Sequence, residues 1–427
     1  MWLGAGFVLF VSLLAALRLT GHRGWWALPA LTPCGAGLGQ LLYYAVERRR
    51  IRGGGPSLPL IVAMLAAFGA GGWTLLSVAA RHGGDASGLF HTGSATPLPP
   101  GLRGATRVAA DATGYDGQYY RIIAHDPLLG AGSMPYLDNP RLRWRRIGVP
   151  AMAWLLAGGQ QQWIDRAYAV VEIAFVLLGA FWLGRFAEAR GAHAMWGLAF
   201  LAVPAAAVSL DRMTIDLPLA ALTIGIARAG SPATGGVYAM LAAAPLIRET
   251  GLLLTFGWAA IRRDPRAAAC AAPALAWWWF VSRHTPADGT VWAAAFPFSG
   301  LLERIAAGTG EPETTAWLRK AAALETLATV GIVLALGLAF SLLRRRHGFV
   351  ETAAILFAVF FAALGRLDIW TSAYATGRTL SPLLVLLGLL AFEPGRRMFA
   401  APLLLVFPRI AFQLITEMRP AARALLE

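Results

Sequence analysis

A single lysine, Lys320, stands among 37 basic residues, and a single asparagine, Asn139, among 427 residues. Cysteine is almost as scarce. Cys34 and Cys270 both sit in apolar stretches, which excludes a disulfide framework. Charged residues make up only 14% of the chain, against roughly 25% in soluble domains. That shortfall excludes a soluble enzyme and a disordered chain. The seven histidines show no metal-ligand spacing, neither HExxH nor a cysteine pair beside them. There are 47 glycines, yet no P-loop or dinucleotide fingerprint, so nucleotide use has no support.

What is present is apolar: 57% of residues are hydrophobic and the mean hydropathy is +0.57. The chain reads as an all-α polytopic membrane protein. A net charge of +14 is compatible with nucleic acid. Arginine clusters between apolar segments mark cytoplasmic loops instead, and no nucleic-acid partner is expected.

A crossing helix needs about 20 apolar residues, fewer where neighbours shield it. Candidate segments lie at 2–16, 25–46, 58–79, 167–184, 194–210, 217–229, 236–247, 252–261, 267–281, 324–343, 350–364, 380–392 and 398–414. The first has no basic n-region and reads as retained, not as a cleaved signal. Several segments are short enough to be half-helices, so about 11–13 transmembrane helices are expected. The division is an extra N-terminal helix pair in 1–57, a core in 58–281 with an outer loop at 81–146, and a second outer loop with C-terminal helices in 282–427.

Four arginine clusters, 48–52, 262–263, 344–346 and 396–397, set the orientation. Positive-inside placement puts all of them in the cytoplasm, and the segment parity between them agrees if 147–156 does not cross. The loop 81–146, the turn 209–216, Arg248-Glu249, the loop 282–320 and the stretch 366–378 then share the outer face.

Two patches of the outer loop are dense in polar chemistry. One runs Tyr115-Asp116-Gly117-Gln118-Tyr119-Tyr120 and on to His125-Asp126; the other includes Asp138-Asn139-Pro140-Arg141 and Arg143, Arg145 and Arg146. Asp116 precedes a short amphipathic helix, where it is either an N-cap or a carboxylate that takes a proton from an acceptor hydroxyl. The arginine run is either solvated charge or a clamp for phosphate oxygens. Asp211 and Asp216 read as a helix cap or as active-site acids. Arg248 and Glu249 read as a mutual ion pair or as a contact to a carrier phosphate, since charge at membrane depth faces a cavity or a partner. Arg366 and Arg378 read as snorkelling residues or as a donor-phosphate site. Trp25-Trp26 and Trp277-Trp278-Trp279 mark the membrane interface. A divalent ion between Asp116 and Asp211 or Asp216 stays open, because oxygen-ligand sites leave little trace in sequence.

The string YDGQYYRIIAHDP, followed by LDNPRLRWRRIGVPAMAWLLA, resembles bacterial integral-membrane glycosyltransferases of the GT-C superfamily. The likeness is to the cell-surface glycopolymer group and, more distantly, to GPI mannosyltransferases. Ser209 to Pro218, Ile247 to Gly251 and Tyr374 to Pro382 are similar to later patches of that group, in order, over residues 58–392. The resemblance implies a GT-C-like fold and a sugar taken from a polyprenyl-phosphate donor, with membrane lipids and a glycan or lipid acceptor as partners. It places the site on the periplasmic face of a bacterial inner membrane. It implies inversion by direct displacement, with Asp116 as general base and Asp126 or Asp138 as weaker candidates. Arg145, Arg146, Arg248 or Arg378 would hold the leaving phosphate, and Gln118, Tyr119 and Tyr120 would line the pocket. Tyr115, His125, Asn139, Asp211, Asp216, Glu249 and Arg366 complete the candidate substrate contacts. The alternative reading is a transporter or flippase for a lipid-linked or anionic solute, which short, interrupted segments also suit.

Overall fold

The computed structural model describes residues 57–110, 113–130, 132–229, 234–287, 296–307, 315–344, 348–365 and 367–426, with side chains as far as 418. The helix pair expected within 1–57 and the candidate Arg366 lie outside the described residues. The described chain is helical, and an isolated β-bridge joins Thr92 and Val108.

Helix α1 (Leu58–Leu76) continues through a π turn to Arg81. The loop after it carries two short helices, α2 (Gly117–His125) and α3 (Pro140–Arg145). Next come α4 (Gly148–Leu156) and the long α5 (Gln161–Glu188). Nine residues of α4 rise only ~14 Å at 1.5 Å each, well short of the ~30 Å hydrocarbon core. Helices α1 and α5 are antiparallel: Gly184 faces Pro59 and Gly71 faces Ile173. Arg121 reaches Asp165 at the start of α5 (2.8 Å), so the loop covers the end of the pair where α1 finishes and α5 begins. The turn after Glu188 sits at the opposite end.

The next apolar stretch does not form one straight helix. A 3₁₀ segment (Ala194–Ala202) meets α6 (Pro204–Arg212) at a bend of 56°. Pro204 forces this, because the residue before a proline is pushed out of the helical region. Val203 is extended, at φ −68° and ψ 127°. Backbone freed inside a membrane must find a partner in the protein. The Ala205 N–H donates to Ser381 Oγ (2.8 Å).

Met213 ends α6 in the left-handed region (φ 46°), and α7 (Asp216–Arg228) starts three residues later. Helices α8 (Gly235–Ile247) and α9 (Gly251–Arg262) form a tight hairpin, with Thr255 Oγ1 donating to Leu241 O (2.8 Å). A Cβ on Gly251 would lie 2.2 Å from the Ala244 carbonyl carbon, so only glycine permits this approach. Short α10 (Pro265–Ala269) leads to α11 (Ala272–His284). The chain closes with α12 (Ser299–Ala307), α13 (Ala316–Ser341), α14 (Phe349–Ala362), α15 (Leu367–Trp370), α16 (Ala373–Leu390) and α17 (Ala401–Leu426).

Among the described residues, five helices are long and apolar enough to cross a membrane, or six if the bent pair counts as one span. The chain is thus an all-α protein with several membrane-length helices. The sequence expectation of 11–13 partly concerns residues outside the described set. Within that set α8, α9 and α14 are 12 to 14 residues long, among the segments read as short enough to be half-helices. Helix α16 is the central post: 89% of its apolar window is buried, against 22% for α17.

Two cysteines test this arrangement on a background with Cys34 and Cys270 changed to serine. Gly104→Cys lies in the loop and Ala189→Cys just beyond α5, and both positions are exposed. An impermeant maleimide applied outside should label the first in intact cells and the second only after permeabilisation. Labelling of both from one side would refute the α1–α5 geometry.

Candidate functional site

The site begins with α3. Pro140 occupies its first turn, and Asn139 caps it by accepting the Leu142 N–H (3.1 Å). The arginine run is therefore helical, which sorts its side chains by face. Arg143 and Arg146, three apart, both turn inward. Arg141 instead donates to the carbonyls of Thr285 (2.8 Å) and Ser282 (3.1 Å) at the end of α11. Arg145 is half-buried, and its Nε has no hydrogen-bond partner among the described residues.

Asp116 does not cap α2. Its carboxylate is held between two guanidiniums, Arg143 Nη2 at 2.9 Å and Arg378 Nη2 at 2.6 Å. Arg143 also grips Asp138 with two bonds, of 2.9 and 2.7 Å. Arg378 Nε lies 3.3 Å from Asp216, whose other oxygen pairs with Arg248. Asp216 is the first residue of α7 and not its cap. The result is one alternating chain: Asp138, Arg143, Asp116, Arg378, Asp216, Arg248. Arg248 and Glu249 do not pair with each other in it. Glu249 accepts from Arg146 Nε (2.9 Å), and Tyr120 ties the branches by accepting from Arg146 (3.0 Å) and Arg143 (3.3 Å).

The lattice is unevenly exposed. Asp116 and Glu249 show about a quarter of their side chains, 27% and 25%, while Asp216 shows 5%. Two buried donors of Arg378, Nε and Nη1, have no hydrogen-bond partner among the described residues, Nε keeping only its ion-pair contact to Asp216. Burial alone would raise the Asp116 carboxyl, but Arg143 and Arg378 outweigh it and hold the group well below the usual carboxylate range. Burial, with Arg146 and Arg378 nearby, lowers Arg248.

A second lattice lies beside the first. Asp211, with no exposed side-chain surface, pairs with Arg81 (2.6 Å) and Arg212 (3.0 Å) and accepts from the Tyr374 hydroxyl (3.2 Å). Glu417 of α17 joins the same two arginines, at 2.7 Å from Arg81 and in a short contact to Arg212. Tyr115 connects the lattices, its ring 5.0 Å from the Arg378 guanidinium and 5.9 Å from that of Arg212. Gly117 brings the backbones together: a Cβ there would lie 2.0 Å from the Arg212 carbonyl oxygen.

The remaining sequence candidates hold the loop itself. Gln118 accepts from the Gly93 N–H (3.0 Å) and donates to Thr113 O (3.1 Å). His125 meets Gln161 at 2.5 Å and Asp165 at 3.2 Å. Asp126 accepts from the Gly130 N–H (2.8 Å). Tyr119 lies under the Arg143 guanidinium at 4.7 Å. No group of three His, Cys, Asp or Glu side chains among the described residues converges as a metal site. Asp116, Asp211 and Asp216 each meet arginine instead.

Arg143, Arg81, Arg212, Tyr374 and Glu417 are the members that the sequence reading did not select. Arg143 was recoverable: an Asn-Pro helix start fixes the phase that favours 143 and 146 over 145. Arg81 and Glu417 left no local signal, since they lie 336 positions apart.

Compared with protein-family models, curated proteins and solved structures, the chain matches none.

Removing one partner of a buried ion pair costs about 3–5 kcal/mol. Glu417→Ala strips both Arg81 and Arg212 and should lower Tm of the purified protein by several degrees. Glu393→Ala removes only a rim pair with Arg396 and should change stability by less than about 1 kcal/mol. Equal shifts for the two variants would mean that the second lattice carries no stability.

Proposed function

We propose that the chain is a glycosyltransferase of the bacterial inner membrane. It moves a sugar from a polyprenyl-phosphate donor to a cell-envelope glycan or lipid acceptor on the extracytoplasmic face, with inversion. The observation that carries this reading is the partly exposed carboxylate of Asp116, held by Arg143 and Arg378 in a lattice that continues through Asp216 to Arg248 and lies beside the Arg146–Glu249 pair, at the loop end of the membrane helices.

The chemistry needs one base and one anion site. Asp116 takes the proton of the acceptor hydroxyl as its oxygen bonds to the anomeric carbon, and the bond from that carbon to the phosphate oxygen breaks. The donor phosphodiester carries one negative charge and the released monoester carries more. Fixed guanidiniums near that phosphate therefore favour the transition state over the ground state. A carboxylate held by two arginines is a weak base. A phosphate that takes donors from Arg378 loosens the grip on Asp116, so the base gains strength when the donor is bound.

The transport reading expects polar groups near the membrane midplane. Here the ion-pair lattice gathers at the loop end, which favours the transferase.

Transfer from radiolabelled polyprenyl-phosphate sugars in membranes tests the proposal. Asp116→Asn should lower the rate by about 10²–10⁴, the usual worth of a general base. Full activity in a normally folded variant would remove Asp116 from that role.

The pH dependence has a definite sign. Because Arg143 and Arg378 hold Asp116 well below the ordinary carboxylate pKa of ~3.9, the free enzyme keeps it ionised throughout neutral and mildly acid pH. The acid limb of kcat/KM from this group should therefore lie below ~4 in the wild type. It should move to higher pH in Arg143→Gln. An unmoved limb would show that Asp116 is not the group observed.

A further inference from the structure

The 3₁₀ turn Ala86–Phe90 of the outer loop ends on His91, whose backbone lies in the left-handed region at φ 49°. The residues around it form a floor beneath Asp116. The His91 carbonyl accepts the Tyr115 N–H at 3.0 Å, and the Gly93 N–H donates to Gln118 Oε1 at 3.0 Å. A Cβ on Gly117 would lie 3.1 Å from the Phe90 carbonyl oxygen, and one on Gly114 would lie 2.8 Å from that of His91. The turn that presents Asp116 thus rests on residues 90–93 on both sides of the carboxylate.

The His91 side chain ties this floor to α6. Its Nδ1 is in short contact with Arg212 Nη1. A guanidinium only donates, so Nδ1 is the acceptor and the ring is neutral. Arg212 is itself held by Asp211 (3.0 Å) and Glu417, and its carbonyl oxygen faces Gly117. One residue of α6 therefore meets the floor through His91 and the Asp116 turn through its own backbone. The charged groups around this corner are Arg81, Arg107, Arg212, Asp211 and Glu417, with the Tyr115 ring and the Tyr374 hydroxyl beside them. Three cations meet two carboxylates there, and a proton on His91 would add a fourth cation. The second imidazole, His82, packs on the 3₁₀ turn, where a Cβ on Gly88 would lie 2.5 Å from its Cγ. Burial, with Arg81 and Arg107 nearby, pushes His82 down to about 4, so it stays uncharged in mild acid.

We infer that His91, as the neutral imidazole, is a positioning residue that holds the Asp116 turn against α6, and that protonation of His91 releases the turn. A protonated Nδ1 donates, cannot accept from Arg212, and sets two like charges in contact. The contact is therefore complete at neutral pH and is lost as pH falls through the titration of the ring. Its loss unfastens the turn while Arg143 and Arg378 still keep Asp116 ionised. Only the consequence rests on the transferase reading: in external acid the base is ionised but out of place for the acceptor hydroxyl.

Hydrogen exchange of the purified full chain in nanodiscs tests this without requiring transfer. Corrected for intrinsic rate, protection of residues 114–118 should fall at least about tenfold between about pH 7.5 and 5.5, on either side of the ordinary histidine pKa. His91→Asn keeps an acceptor at the place of Nδ1 and tolerates the left-handed backbone, but takes no proton. Its protection should be the same at both pH values, and His91→Ala should be less protected at both. His82→Asn should keep the wild-type response. In membranes, wild-type kcat should fall over the same interval with the donor KM little changed, and His91→Asn should remove that limb. A wild type without the pH response, an unchanged response in His91→Asn, or its loss in His82→Asn would overturn the role of His91 and leave the transferase reading intact. The expected exchange pattern without sugar transfer would overturn that reading and leave His91 as the group that holds the turn.

Discussion

A guanidinium withdrawn from water must be met by an anion, and this constraint organises the whole loop end of the molecule. Desolvating either partner costs several kcal/mol, which only close, multiply bonded pairing offsets. Asp116 and Arg143 belong to the loop between α1 and α4, while Arg378 and Asp216 stand on α16 and α7 and Arg248 directly follows α8. Each pair that joins them therefore docks the loop as well as balancing charge. The second lattice does the same for the far end of the chain, with Glu417 fastening α17 to Arg81 and Arg212.

Balance has a functional consequence. Four arginines, Arg143, Arg146, Arg248 and Arg378, face four carboxylates, Asp116, Asp138, Asp216 and Glu249. Charge within the lattice is matched, so an anion that enters anywhere but at the unpartnered donors of Arg378 must exchange with a carboxylate. Exposure decides which one moves. Asp216 is walled in, whereas Asp116, Asp138 and Glu249 reach the surface. On the proposed reaction, exchange at Arg378 is useful in itself, because it frees the carboxylate that must take a proton. Arg378 Nη1, already without a hydrogen-bond partner among the described residues, needs no exchange at all.

Much of this was legible in the sequence, and the limits have physical causes. The long uninterrupted apolar runs were enough for a helical membrane protein, since such a run satisfies its backbone in lipid as a helix, whereas a barrel strand alternates. The outer patches at 115–126 and 138–146 do come together with Asp216, Arg248, Glu249 and Arg378, because each was a charge that an apolar neighbourhood could not hold alone. Local readings of the same residues did less well. Asp116 and Asp216 both stand where a helix cap would be, yet each turns to distant arginines, and Arg248 and Glu249 ignore one another. Capping and neighbour pairing are short-range interactions worth about 1 kcal/mol or less. A desolvated guanidinium outbids them, and the residue that supplies it can be 262 positions away.

The same competition explains why the helices are broken where they are. An apolar run such as 194–210 reads as one span, but Pro204 bends it and Met213 stops it, so Asp211 and Asp216 fall on the two sides of the break at Met213. The bend is tolerable because Ser381 supplies the partner that Ala205 lacks, and Gly377, one turn earlier on α16, lies close to Val406 of α17 and in contact range of Pro204. Arg378 sits between those two small residues. The features that let α16 pack against the broken helix thus also carry its arginine to Asp116 and Asp216. A lost hydroxyl at 381 would disturb the break on the same turn of α16 that carries Arg378 into the ion-pair lattice.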